Sequence, residues 1–351
     1  MAMAEVTVMG GGIFGLSVAW ACLRRGARVR LIEARRIGAG ASGGVVGALA
    51  PHVPENWNPK KAFQLESLLM ASGWWADVAR AGGGAPGYGR LGRLQPLADA
   101  AAVTRARARA DTAAELWQGR ARWEVVALSQ APAGLGVESP TGLVVHDTLS
   151  ARLHPARACA ALAAALQAGG AEIVAGRIAP PSGAAPVVWA TGHEGLAALM
   201  DTSGRPAGTG VKGQALLVEH AAPGAPQIFA DGLHIVPHAD GTTAIGSTSE
   251  RVFDDGAATD ARLDTLHARA AAVCPDLADA PVLARWAGVR PRARSRAPLL
   301  GPWPGRPGHF VANGGFKIGF GVAPGVAEVM ADLVLEGRDV IPEGFRVADC
   351  L

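Results

Sequence analysis

The apolar stretch EVTVM, Glu5 to Met9, ends at a glycine cluster and has the length of a buried strand. Beyond that turn, IFGLSVAWACLRR predicts a helix from Ile13 to Arg25, and RVRLI predicts a second strand from Arg28 to Ile32. Strand, turn, helix and strand in this order make a βαβ unit. Farther along, Asn58 stands as an N-cap before Pro59, and Phe63, Leu68, Leu69 and Trp75 recur at helical intervals, with Trp74 and Trp75 read as core. A helix is expected to open at Pro155, a strand to cover Glu172 to Val174, and PVVWATG to supply a buried strand and turn. LHIVPH and TTAIGST read as paired strands joined at Asp240-Gly241, a hairpin signal. Near the end, a strand is predicted from Phe310 to Asn313, with a helix beginning at Pro324 or Gly325.

Length and charge narrow this picture. A chain of 351 residues exceeds the usual single core, so two domains are expected. A net charge of +3, spread over scattered arginines, is too weak for a nucleic-acid groove. Cys22, Cys159, Cys274 and Cys350 lie far apart without metal-ligand spacing, which argues against a zinc site or disulfide framework and fits a reducing cytoplasm. The first residues lack a basic n-region and glycines interrupt the apolar run from Val6, so neither a signal peptide nor a membrane span is expected. Lysine is scarce: of 33 basic residues only Lys60, Lys61, Lys212 and Lys317 are lysines, and Lys317 sits among four glycines in ANGGFKIGFGVAP.

The candidate chemistry begins at the first turn. Gly10, Gly12 and Gly15 have the spacing G-x-G-x-x-G, which permits a tight turn, close approach of a pyrophosphate to backbone amides, and close helix–strand packing. Glu33, 18 residues past Gly15, ends the second strand where a carboxylate can accept from a ribose diol. A second glycine-rich segment follows, with Gly38, Gly40, Gly43, Gly44 and Gly47 letting backbone approach a flat ring, and Ser42 available to a phosphate or ribose.

With that segment the chain resembles the D-amino-acid oxidase superfamily of FAD-dependent oxidoreductases, in particular its glycine oxidase and sarcosine oxidase-like members. Four blocks in family order carry the resemblance: GGGIFG with Glu33, then ASGGVVGALAP, then GVKGQ followed by LHIVPHADGTTAIGST, and WAGVRPRARSRAPLLG running into ANGGFKIGFGVAP. It implies an α/β protein with a discontinuous Rossmann-like FAD-binding domain over residues 1–50, 142–200 and 286–351. A second, substrate domain built on an antiparallel sheet would cover 51–141 and 201–285. AGRIAPPSGA, shorter than the family's strands in that region, marks a pared-down lobe.

Carried over residue by residue, the FAD contacts fall on Gly10, Gly12, Ile13, Phe14, Gly15, Glu33 and Ala34, and on Ala41, Ser42, Gly47, Ala48 and Leu49. Ile178 and Gly192 follow in the middle of the chain, then Gly315, Phe316, Ile318, Gly319 and Phe320 near its end. Arg290 in GVRP matches the family's carboxylate-binding arginine, whose planar fork holds a carboxylate through two parallel hydrogen bonds, while Arg292, Arg294 and Arg296 read as surface residues. Lys317 matches a lysine or arginine that contacts substrate. His234 replaces a tyrosine facing the substrate, as a partner able to titrate near neutral pH or as a plain strand histidine, and His52 is a further candidate for the same space.

No cysteine stands where relatives attach their flavin, so FAD is expected to be held noncovalently. The implied activity is oxidation of the C–N bond of a small amino acid or N-methyl amino acid, with oxygen or a redox partner taking the electrons. Two alternatives stay open: flavin-dependent trimming of a modified tRNA uridine, which GVRPRARSRAPLLG also resembles, and a flavin-binding subunit of a larger oxidoreductase complex.

Overall fold

The computed structural model of the protein describes residues 4–180, 183 and 185–351; the first three residues of the expected FAD-binding domain, and Pro181, Ser182 and Ala184 of the expected short lobe, lie outside them. Two large sheets dominate an α/β architecture. In the six-stranded sheet, Glu5–Met9 lies centrally between Val187–Trp189 and Arg28–Glu33, with parallel pairing on both sides. Glu172–Ala175 extends it in parallel beyond Arg28–Glu33. On the other flank come the parallel strand His309–Asn313 and an antiparallel edge, Leu299–Pro302. Chain order therefore reverses on the two sides of Glu5–Met9, and a crevice opens at the carboxyl end of that strand, the usual place for a ligand in such sheets.

The helices that cover this sheet follow from local sequence. Ile13–Arg24 is buried along nearly its whole length, as its uninterrupted apolar and small residues demand. Pro59–Gly82 starts where predicted: the Asn58 side chain accepts from the Lys61 amide at 3.1 Å and Pro59 opens the first turn, while Gly83 ends it in a left-handed conformation. Trp74 and Trp75 are core, at 3% and 1% exposure. Pro155–Ala168 packs between these two helices.

The last helix departs from expectation. It begins at Gly319, not at Pro324 or Gly325, and runs to Glu336 with Pro324 inside it. Proline interrupts the backbone ladder there, and the neighbouring Gly325 amide donates to Ser67 Oγ at 3.0 Å. That contact is tertiary, between segments far apart in sequence, and no local rule anticipates it.

The eight-stranded sheet lies over the crevice. Leu233–Pro237 and Thr242–Gly246 pair antiparallel around Asp240-Gly241 as predicted. Gly208–Glu219 joins this hairpin to the long strand Val282–Ala293. The sheet is not purely antiparallel, however: Gln227–Ala230 pairs in parallel with Arg93–Pro96. Two antiparallel groups, one drawn from residues 93–147 and one from 208–293, meet at that seam, and no hairpin there forces opposite strand directions.

Gly15 shows how tightly the crevice floor is built. A Cβ at this position would stand 1.9 Å from the Gly10 carbonyl oxygen, a backbone atom that cannot step aside, whereas a Cβ at the exposed helix position Gly73 would meet nothing within 4 Å. Gly15→Ala is expected to lower unfolding free energy by roughly 1–3 kcal/mol through overpacking. Gly73→Ala should raise it by about 0.5–1 kcal/mol through helix propensity. Denaturant midpoints of the two variants check the pair, and a neutral Gly15→Ala would contradict this packing.

Candidate functional site

The site is assembled around the N-terminus of Ile13–Arg24. Gly10 takes φ +112°, and a Cβ there would lie 2.5 Å from the Ala190 carbonyl oxygen, so only glycine lets the two crossing segments touch. Glu33 braces the turn by accepting from the Gly11 amide at 2.6 Å and from the Arg35 amide at 2.8 Å. Ser42 Oγ accepts from the Ile13 amide at 3.0 Å, which ties the second glycine-rich segment to the helix start. The amides of Gly12 and Phe14 have no acceptor among the described residues. They point the positive end of the helix dipole at the crevice.

From here the crevice runs in two directions. A narrow arm of about 160 Å³ is lined by Gly10, Glu33, Ala34 and Ile178, and it meets a chamber of about 390 Å³ at Gly12, Ala41 and Gly192. Ile13, Phe14, Gly47, Ala48, Gly315, Phe316, Gly319 and Phe320 line the chamber from the lower side. His234, Trp286 and Arg290, all on strands of the eight-stranded sheet, line it from the other. A third space of about 210 Å³ adjoins it at Ala48, Phe229, His234 and Lys317, and Leu49, His52 and Ile318 belong to this one. Gly15 and Ser42 are on none of these linings; they hold the turn from behind.

Arg290 is the most constrained group in the chamber. Its guanidinium is buried, donating from Nη2 to Ser247 Oγ at 2.7 Å and from Nη1 to the Thr248 carbonyl at 3.2 Å. No carboxylate lies within ion-pair distance among the described residues. Burial lowers its pKa to about 10, against a smaller raising effect of the Glu250 charge. The side chain lies across Gly213, where a Cβ would be 1.9 Å from Nη1. The glycine of GVKGQ thus makes room for the arginine of GVRP on the facing strand.

Lys317 borders both the chamber and the third space, with its Nζ 5.9 Å from the Phe316 ring centroid. Partial loss of water and then the Arg290 charge lower its pKa from the ordinary lysine value. His234 is a different matter from the titrating residue considered above. Burial first, then the charges of Arg93, Lys317 and Arg290, push its pKa down to about 3, so it is neutral at physiological pH, and its Nδ1 is buried without a partner among the described residues. His52 is also lowered, chiefly by burial, and its Nδ1 is engaged by Gln64 Oε1, which fixes the ring.

The arginine-rich run also departs from a plain surface reading. Arg296 is exposed, but Arg292 is half-buried with its guanidinium 5.8 Å from the Phe316 ring centroid, and Arg294 pairs with Asp201 at 2.8 Å. Other residues at the site carried no local signal. Trp286 packs against Gly44, and Asn313 joins the chamber wall while donating to the Gly192 carbonyl at 2.9 Å. Arg93, paired with Asp147 at 2.8 Å, and Gln95 line the third space. The alternation of the strand Arg93–Pro96 shows which positions share a face, but not that one face borders a cavity.

The Gly213 contact gives a direct test. Because the blocking atom belongs to the end of a long side chain, Gly213→Ala should fold and move Arg290 out of place. A small carboxylate such as acetate should then bind at least tenfold more weakly, about 1.4 kcal/mol. Calorimetric titration of wild type and variant checks this, and equal affinity would detach Arg290 from anion binding.

The residues suit the dinucleotide that the sequence implied. A carboxylate at Glu33 borders the narrow arm, open amides meet a pyrophosphate at Gly12 and Phe14, and close-packed glycines leave backbone beside the chamber, as at Gly47, where a Cβ would meet the Leu153 carbonyl oxygen at 1.7 Å. Comparison with known proteins agrees. The glycine oxidase of Pseudomonas aeruginosa is 39% identical over 132 residues, 37% of this chain and 36% of that protein, so the chain matches about a third of that relative's length. The putative thiamine biosynthesis oxidoreductase ThiO of Rhizobium etli is 30% identical over 94% of this chain and 96% of its own. In fold, the crystal structure of glycine oxidase from Geobacillus kaustophilus superposes with a TM-score of 0.79 over 97% of each chain at 22% identity. Residues 5–333 match the family described as DAO, FAD dependent oxidoreductase, and the chain belongs to that family.

Proposed function

We propose that this FAD-dependent oxidoreductase oxidises the C–N bond of a small amino acid or N-methyl amino acid, with Arg290 holding the substrate carboxylate. The observation that carries this reading is a buried guanidinium facing the chamber without an acidic partner. An unpaired buried charge is costly, and a bound carboxylate would offset that cost through two charge-assisted hydrogen bonds. The relatives named glycine oxidase support an amino-acid substrate. The division into an FAD-binding part over residues 1–50, 142–200 and 286–351 and a substrate part over 51–141 and 201–285 belongs to the same proposal, although the strands Leu143–Asp147 and Val282–Ala293 pair into the eight-stranded sheet with the substrate part.

FAD, when bound, supplies the acceptor for the substrate's hydride. The chain's own residues then orient and tune. Arg290 fixes the carboxylate end, so the amine-bearing carbon is presented at a set distance from it. Lys317 adds a positive charge beside the same chamber, where the exclusion of water makes its attraction for an anion stronger. His234, held neutral, serves as a hydrogen-bond partner and is too weak a base to take a proton. The noncovalent attachment expected for FAD belongs to the same reading: the cysteines, all free and buried, do not border the chamber. Among the described residues no helix is long and apolar enough to cross a membrane.

Arg290→Lys keeps the charge and loses the fork, and should weaken carboxylate binding by about 1.5–3 kcal/mol with FAD content retained. Lys317→Met should weaken it as well and slow flavin reduction by at least tenfold, about 1.4 kcal/mol. Affinity should show no step at the ordinary histidine value of 6.5, because His234 is already neutral there. It should fall at alkaline pH as Lys317, whose pKa lies below the ordinary value of 10.5, and Arg290, lowered to about 10, lose their protons and the site loses positive charge. Ligand titrations across pH check this. An unaltered alkaline limb in Lys317→Met would remove the lysine from the account, and unaltered affinity in fully flavinated Arg290→Lys would reassign that arginine to structure.

A further inference from the structure

We propose that the third space is a second anion-binding subsite, and that the substrate is an amino acid or N-substituted amino acid carrying a second carboxylate. The proposal rests on the reading above, in which Arg290 takes the first carboxylate. The space adjoins the chamber, and His234 and Lys317 line both, so it lies next to the position of a molecule anchored at Arg290.

Its polar lining is specific in sign. Gln95 Nε2 is buried and has no hydrogen-bond partner among the described residues. Such an orphaned donor destabilises the fold unless something accepts from it. Arg93, which also lines the space, spends Nε on Asp147 and makes no other hydrogen bond among the described residues, so its Nη groups have no acceptor there. Arg93 and Asp147 balance each other in charge, but Lys317 has no carboxylate within ion-pair distance among the described residues, so the space carries an excess of positive charge. The acceptor that could have balanced these donors, Gln64 Oε1, is already used by the amide and ring of His52.

Donors in excess with one uncompensated cation select an acceptor-rich, anionic group. A purely apolar arm would leave Gln95 unpaired, and a cationic arm would face Lys317. A carboxylate satisfies both. His234, uncharged and on the lining of both spaces, does not repel that arm.

The test is equilibrium binding to the FAD-loaded protein, read by calorimetry, of two four-carbon acids: succinate, with two carboxylates, and butyrate, with one. Succinate is expected to bind at least tenfold more tightly, and in Gln95→Leu, which keeps the shape and loses the donor, the ratio should drop at least threefold. Equal binding of both acids to the wild-type protein would overturn the second subsite while leaving Arg290 as the carboxylate anchor. A large ratio unchanged in flavinated Gln95→Leu would overturn its location in this space. Binding of neither acid would defeat the Arg290 reading and this proposal with it.

Discussion

A buried guanidinium without an acidic partner is the feature around which the site is organised. Arg290 reaches the chamber because Gly213 on the facing strand has no side chain, and because Ser247 and the Thr248 carbonyl accept its N–H groups without cancelling its charge. A carboxylate in place of Ser247 would have made an ordinary salt bridge and closed the position to ligands. The protein instead bears the desolvation of a cation, visible in the lowered pKa, and leaves the charge for whatever enters the chamber. The same positive field reaches Lys317 and His234 and adds to the burial that keeps the histidine neutral.

That anchor has meaning only because the two sheets meet across it. The six-stranded sheet supplies the glycine turn and the N-terminus of the first helix, while the eight-stranded sheet supplies Arg290, His234 and Trp286 from above. Tight glycine contacts on the lower side, Gly15 on Gly10 and Gly47 on Leu153, fix the backbone that borders the chamber. Side chains on regular strands positioned over a close-packed floor give a site whose geometry needs little rearrangement on binding.

Much of this was legible from residues alone, and the reason differs by region. The first βαβ unit announces itself because strand, glycine spacing, helix and terminal acid are local signals, and Asn58 before Pro59 is an equally local cap. Arg290 and Lys317 come from the resemblance of GVRP and ANGGFKIGFGVAP to the family's motifs, and both border the chamber. What escaped depends on contacts between distant segments. The last helix starts before Pro324, and Ser67, far away in sequence, accepts from the Gly325 amide beside that proline. The parallel seam between Gln227–Ala230 and Arg93–Pro96 joins two parts of the chain that no turn connects. Arg93 and Gln95 look like ordinary strand residues until that seam turns them toward a cavity. The sequence leaves His234 open between a titrating and a structural role, and its burial first, then the surrounding cations, decide its charge.

The central claim is that a carboxylate on Arg290 positions an amine for oxidation. The most direct measurement is anaerobic bleaching of the flavin absorbance by a panel of amino and N-methyl amino acids, dicarboxylic ones included, each paired with the amine that lacks its α-carboxylate. Bleaching by at least one acid, with its carboxylate-free partner slower by a factor of ten or more, is the result this account predicts. Equal bleaching by the two members of each active pair, or bleaching by the amines alone, would contradict it.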